Sequence, residues 1–191
     1  MSKPVRLYLI RHGQATGGWD QDMDPGLSEL GWEQASEAAA RLEHLGALPV
    51  ISSPMRRTQE TARPFTTQWK NAARIEPRIS EIPSPSEDLE ARKEWLAGVM
   101  AGTWSDPAAQ NAGGYDLKAW RQGVIEAIRE VREDTVFTSH FIAINVVAGH
   151  LLSDDRIVAF RPDNCSITVV ENDGGTLRLV ELGHEAVTEV R

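Results

Sequence analysis

Short apolar runs alternate with amphipathic stretches along the whole chain. Val5–Ile10 is a β-rich run that stops at polar and glycine residues, so it reads as a buried strand followed by a loop from Arg11 to Gly18. Ser28 is placed to cap a helix whose Leu30, Ala35, Ala38, Ala39, Leu42 and Leu45 share one face, with Gly46 as its stop. Pro49–Ile51 repeats the strand signal. Ser53-Pro54 then sets a cap residue and a first-turn proline in the order a helix start prefers, and Pro64 should kink or end that helix. Ile75–Ile79 is a weaker strand signal, and Glu87–Met100 fits one helix. Asp116 opens a clear helix, with Leu117, Trp120, Val124, Ile128 and Val131 on one stripe. Thr135–Thr138 reads as a buried strand and Phe141–Leu152 as a very apolar helix. Cys165–Val170 and Thr176–Leu182 flank Asn172-Asp173-Gly174-Gly175 and predict a hairpin.

This alternation predicts an α/β protein, a three-layer α/β/α sandwich with a mostly parallel central sheet. The 191 residues suit one domain spanning 1–191. The proline-punctuated stretch 81–115 reads as a variable elaboration over one end of that domain.

Charge narrows the partners. A net charge of −8 argues against a nucleic-acid or anionic-membrane binder, and it makes clustered arginines stand out as sites. Cys165 is the single cysteine, so no internal disulfide can form, and a reducing cytoplasm is the natural setting. Cys165 itself reads as a small packed hydrophobe. The apolar stretch Leu7–Ile10 is too short for a signal peptide, and no run approaches the roughly 20 apolar residues of a membrane span.

Three polar clusters share one context. Arg11-His12-Gly13, Ser52-Ser53-Pro54-Met55-Arg56-Arg57 and Ser139-His140 each follow a short apolar strand signal. In an open α/β sheet, ligands bind beyond the carboxyl ends of the strands. If these strands are parallel neighbours, two arginines and two histidines converge there. Arginine offers a planar fork of donors matched to phosphate oxygens and stays charged. Neutral imidazole is a nucleophile near pH 7, and neighbouring cations keep it neutral. Its other ring nitrogen needs an acceptor, and a carbonyl of the Gly13 loop is the obvious one.

On these residues the chain resembles a known family. Leu9-Ile10-Arg11-His12-Gly13-Gln14-Ala15 is similar to the signature of the histidine phosphatase superfamily, also called the phosphoglycerate mutase-like family. Ser52–Ala62 resembles its second block and Thr138-Ser139-His140 its distal histidine. Asp24-Pro25-Gly26-Leu27-Ser28 and Gly31 resemble the segment that opens its first helix. The resemblance implies a phosphatase with His12 as nucleophile, Arg11 and Arg57 on the phosphoryl group, and His140 as a further donor. It prefers Arg57 over Arg56, because the family's arginine precedes the small residue that is Thr58 here. It places the proton donor at Glu81, with Glu87 and Asp88 as rivals. A metal is a poor fit to these residues: the sequence has no HxH, HExxH or CxxC, and an arginine beside His12 would repel a cation, so neither metal nor cofactor is expected. Gly13 and Thr16 join the phosphate contacts.

Two departures stand out. Phe141 replaces the glycine that usually follows the distal histidine. The Trp-Asn pair of the family's mutases is replaced by Thr16-Gly17-Gly18-Trp19, which leaves Thr16 as a substitute contact. The missing pair and the short chain favour hydrolysis. Alternatives are mutase-type transfer, a protein-phosphohistidine phosphatase and, outside enzymes, an inactive phosphate-binding module. The expected partner is a small phosphomonoester or a phosphoprotein. Arg56, Arg92, Lys93 and Arg161 are candidates for a second anionic group, although a solvated single charge is the simpler reading of each. His44, His150 and His184 lack matching neighbours and read as surface or packing residues; Trp95, Trp104 and Trp120 read as core.

Overall fold

A computed structural model describes residues 3–17 and 22–186 of the chain. Gly18 and Trp19, part of the segment that replaces the Trp-Asn pair, lie outside the described residues.

The elements in chain order are β1 (Val5–Arg11), α1 (Glu29–Leu42), β2 (Val50–Ser52), α2 (Arg56–Trp69), β3 (Arg74–Ile75) and α3 (Leu89–Met100), then β4 (Asn111–Ala112), β5 (Tyr115–Asp116), α4 (Leu117–Arg129), β6 (Thr135–Ser139), α5 (Phe141–Leu152), β7 (Ile167–Asp173) and β8 (Thr176–Glu181). Six strands form one sheet in the order β3-β2-β6-β1-β7-β8. Its first four strands are parallel, and β7 and β8 add an antiparallel hairpin. The mostly parallel α/β/α sandwich expected from the alternation is the fold observed.

The period of two along each strand divides the core between the two faces. Leu7, Leu9, Ile51 and Phe137 pack with residues of α3, α4 and α5. Ile10, Val50 and Val136 pack with Ala35, Ala38 and Leu42 of α1 and with Ala62 and Phe65 of α2. Helix α5 is buried along most of its length, which explains why it is so apolar. Among the described residues no helix is long and apolar enough to cross a membrane. Trp104 is buried in the first cluster, with Trp95 and Trp120 against it.

Several local expectations shift. Leu30 is 47% exposed, and Gly31 takes the inward place on α1. The inward stripe runs through 31, 35, 38 and 42, one step away from Leu30. Helix α2 continues through Pro64 to Trp69. The proline removes only its own donor, and buried Ala62 and Phe65 hold the flanking turns. The third strand has only two residues, and Pro77–Ile79 forms a 3-10 turn. The β7–β8 turn uses Gly174 and Gly175 at φ of 59° and 106°, the left-handed conformations a tight hairpin needs.

The topology places three strand ends side by side. β6 lies between β1 and β2, and both neighbours run parallel to it. The residues that follow these strands are His12, Ser53 and His140, so segments far apart in sequence meet at one edge of the sheet.

Candidate active site

The backbone of His12 is held from two sides. Arg11 closes β1 opposite Ser139, and His12 N donates to the Ser139 carbonyl at 2.9 Å, one step beyond the ladder. Asn164 Nδ2 donates to the His12 carbonyl at 2.8 Å. Gly13 N donates to Thr61 Oγ1 at 3.0 Å, and that hydroxyl donates to the Arg57 carbonyl at 2.7 Å. The loop therefore rests on α2 as well as on the sheet. It also lies against the first turn of α1. A Cβ on Gly13 would come 2.5 Å from the Gly31 carbonyl oxygen, and one on Gly31 would strike the Gln14 carbonyl. Glycine at both positions is a packing requirement of this loop.

His12 Nδ1 lies 2.8 Å from the Gly13 carbonyl oxygen. A carbonyl can only accept, so Nδ1 carries the proton and the Nε2 lone pair is left free. The ring is buried, and its pKa is pushed well below 6.5, first by burial and then by Arg57 and Arg11. Burial is thus a larger cause of the neutral ring than the arginine charges that the sequence brings to mind.

Arg11 NH1 donates to the Pro162 carbonyl at 2.9 Å. Its guanidinium carbon lies 5.2 Å from the centroid of the Phe141 ring. The residue that replaces the usual glycine is therefore a buried platform beneath Arg11. Arg11 Nε is buried and has no partner among the described residues. A buried donor of this kind is costly unless something anionic or polar completes it.

Arg57 enters from the first turn of α2 and is 3% exposed. Its NH2 donates to His140 Nδ1 at 3.2 Å, and its NH1 is 3.9 Å from Asp24 Oδ1. Guanidinium can only donate, so His140 Nδ1 accepts and the His140 proton sits on Nε2. That nitrogen is 2.8 Å from Ser53 Oγ. Burial first, then Arg57, His12 and Arg11, holds His140 neutral. The two imidazoles lie 5.4 Å apart between centroids, at 65°. Arg56 points away, its Nε 2.8 Å from Glu60 Oε1 and its side chain 65% exposed.

Ser53 does not cap α2. The helix begins two residues later, after Met55, which makes no side-chain cap. Asp24 Oδ1 accepts from Arg56 N at 2.8 Å instead, which releases the Ser53 hydroxyl to His140.

Glu81 reaches the start of α5. Its Oε1 accepts from Ile82 N and Ile142 N, each at 3.1 Å, and from Ala143 N at 3.3 Å. These bonds and Arg57 favour the carboxylate, but burial outweighs them and the pKa is raised. Its rivals are engaged elsewhere or turned outward. Asp88 accepts from Ala91 N at 2.8 Å as the cap of α3, and Glu87 is exposed.

Thr16 is placed differently from the other expected contacts. It is exposed, and its hydroxyl donates to the Gly26 carbonyl at 3.4 Å rather than to any of these side chains. Cys165 is buried, and burial pushes its thiol up to about 12, so it stays protonated. His44, His150 and His184 are exposed. Sequence reasoning assigned no role to Ser53 at the site, to Thr61 or to Asn164. Only Thr61 carried a signal, one helical turn after Arg57 on the same face of α2.

One free imidazole nitrogen, two buried guanidiniums, a neutral second histidine and a carboxyl with raised pKa therefore share one sheet edge. This set can bind a dianionic tetrahedral group, attack it and move a proton.

The chain is also similar to known proteins. The sequence profile of the histidine phosphatase superfamily (branch 1) matches residues 7–185. The 2,3-bisphosphoglycerate-dependent phosphoglycerate mutase of Thermoplasma acidophilum is 24% identical over 191 aligned residues, covering 95% of this chain and 93% of that one. Among solved structures, the phosphoserine phosphatase of Entamoeba histolytica in complex with 3-phosphoglyceric acid matches at TM-score 0.75 and 21% identity, over 94% of this chain and 97% of that one. The alpha-ribazole phosphatase of Shigella flexneri matches at TM-score 0.74 and 21% identity, over 98% of this chain and all (100%) of that one. At these identities the likeness to the solved structures is one of fold.

Proposed function

The chain belongs to the histidine phosphatase superfamily, and from that premise we propose that it hydrolyses a phosphomonoester through a phosphohistidine formed on His12. The observation that carries this reading is the 2.8 Å contact from His12 Nδ1 to the Gly13 carbonyl, which leaves Nε2 free beside buried Arg11 and Arg57.

In the first step Nε2 attacks phosphorus and the bond to the leaving oxygen breaks. Arg11 and Arg57 neutralise the charge on the equatorial oxygens. His140 Nε2–H is a further donor once it turns from Ser53 toward the phosphoryl group. Glu81 gives its proton to the leaving oxygen. In the second step Glu81 takes a proton from water as the water attacks phosphorus. The P–N bond breaks and inorganic phosphate leaves. The two guanidiniums supply the positive charge that phosphoryl transfer requires, so the chemistry as written uses no metal.

Transfer to a second hydroxyl is the rival, favoured by the mutase name of the Thermoplasma relative. Incubation with 3-phosphoglycerate and a catalytic amount of 2,3-bisphosphoglycerate in excess chelator separates the two. Hydrolysis releases one phosphate for each 3-phosphoglycerate consumed. Stoichiometric isomerisation of phosphoglycerate without phosphate release would overturn the phosphatase reading.

The two perturbed groups fix the sign of the pH dependence. His12 must be neutral to attack, and its pKa lies well below 6.5, so activity is lost only as pH falls through that low value. Glu81 must be protonated to act as acid, and its pKa is raised, so activity falls as pH rises through it. The expected profile is a bell between these limits. Glu81→Gln is expected to remove the alkaline limb and lower kcat by about 10²–10⁴-fold for an alkyl phosphate. The loss should be smaller for p-nitrophenyl phosphate, whose leaving group needs little protonation. An alkaline limb that survives in Glu81→Gln would assign the acid to another group.

A further inference from the structure

Arg11 and Arg57 are both buried at the strand ends, but they are held in different ways. Arg57 is fixed by polar partners, His140 Nδ1 at 3.2 Å and the Asp24 carboxylate at 3.9 Å. The Arg11 guanidinium has one hydrogen-bond partner among the described residues, the Pro162 carbonyl, which NH1 meets at 2.9 Å. A bond at one corner fixes a point and leaves the plane of the group free to swing. That plane is set by the Phe141 ring, whose centroid lies 5.2 Å from the guanidinium carbon. Phe141 is 1% exposed and opens α5 directly after His140, so the ring is itself held in place.

These two contacts leave one edge of Arg11 unused. NH1 is turned to Pro162 and one face lies on the ring, so the Nε–NH2 edge remains. Nε on that edge is buried and has no partner among the described residues. Such an edge is a two-pronged fork matched to two oxygens of one phosphoryl group. A carboxylate beside Arg11 would also fix its plane, but it would occupy the fork and cancel its charge. An aromatic ring does neither, because it meets the guanidinium on its face and carries no net charge.

We propose that Phe141 is a positioning residue, whose ring clamps the plane of the Arg11 guanidinium so that the Nε–NH2 edge stands ready for two oxygens of the phosphoryl group. The glycine that the family resemblance leads one to expect at 141 has no side chain to do this. An arginine already held in its binding orientation loses little freedom when the anion arrives, so the ring contributes affinity without touching the ligand. The proposal rests on the reading of Arg11 as a ligand of the phosphoryl group.

Calorimetric titration with inorganic phosphate tests this without turnover. Phe141→Leu keeps the position apolar but removes the flat face, and it should weaken phosphate binding about fivefold, the cost of ordering one long side chain on binding. Phe141→Met is a second apolar replacement without a ring and should show the same loss. The deciding measurement is the double-mutant cycle with Arg11→Lys. Lysine has neither a plane nor a fork, so in that background Phe141→Leu should change phosphate affinity by less than about twofold. A merely structural role would weaken binding by the same factor in both backgrounds. Unchanged affinity in Phe141→Leu and Phe141→Met, or an equal loss with and without Arg11→Lys, would overturn the proposal. Phosphate that does not bind the unmodified protein would overturn the phosphate site itself and this proposal with it. Failure of the phosphatase reading alone would show separately, as phosphate binding without phosphate release from any phosphomonoester.

Discussion

Replacing His12 with alanine is expected to lower kcat on every phosphomonoester by roughly 10⁴-fold or more while KM changes little. In the proposed mechanism the imidazole supplies the bond-forming lone pair, and among the described residues no other group at the site is free to replace it. Cys165 is held protonated by burial. The Nδ1 of His140 is occupied by Arg57, and its Nε2 carries a proton toward Ser53. The substitution should leave the fold intact. The backbone of residue 12 is fixed by Ser139 and Asn164 through its own N–H and C=O, which alanine keeps. Thermal unfolding should therefore report a stability change of no more than about 2 kcal/mol. A fall in activity that tracked unfolding would assign His12 a structural role.

Arg57→Ala is expected to cost roughly 10³-fold in kcat/KM, in the range seen when one preorganised transition-state donor or cation is removed. Two losses combine. One of the guanidiniums that balance the dianion disappears, and His140 Nδ1 is left buried without its donor. Burial, the largest cause of the low His140 pKa, remains when the Arg57 charge is removed, so His140 stays the neutral donor of the site and the deficit should be carried by the lost guanidinium. Arg57→Lys restores charge without the fork and should recover only part of the loss. Its neighbour gives the contrast: Arg56→Ala should stay within about threefold, because that side chain is 65% exposed and paired with Glu60. Steady-state kinetics on the three variants from pH 5 to 8 check this; equal effects at 56 and 57 would contradict the assignment of Arg57.

Much of this site is legible in the sequence because it is written at strand ends. Apolar runs mark β1, β2 and β6, and the polar residues that stop them are the ones the sheet brings together. Parallel pairing of all three makes Arg11, Arg57 and His140 neighbours, with β6 between the other two. Glu81 is harder to read, since its position depends on a two-residue strand and a 3-10 turn rather than on a periodic element. Its contact with the start of α5 is a long-range bond that no local pattern encodes.

The other misses have the same origin. Ser53-Pro54 has the form of a helix cap, but Asp24 reaches in from a distant loop and takes that task. Asn164 meets the His12 carbonyl from across the sheet, and nothing near it in sequence distinguishes it from a loop asparagine. Arg92 looks like one more charge on a helix until burial separates it from Arg56 and Arg161. Phe141 was visible as a departure, but only the structure shows its ring beneath Arg11.

The central claim is a covalent bond between phosphorus and His12, and rapid-quench trapping with a ³²P-labelled substrate tests it most directly. A phosphohistidine is labile in acid and stable in alkali, which separates it from phosphoserine and from an acyl phosphate. The account predicts label with that stability on the peptide containing Arg11-His12-Gly13, and none in His12→Ala. Label on the peptide containing His140, label that alkali removes, or full turnover with no label at any quench time would contradict it.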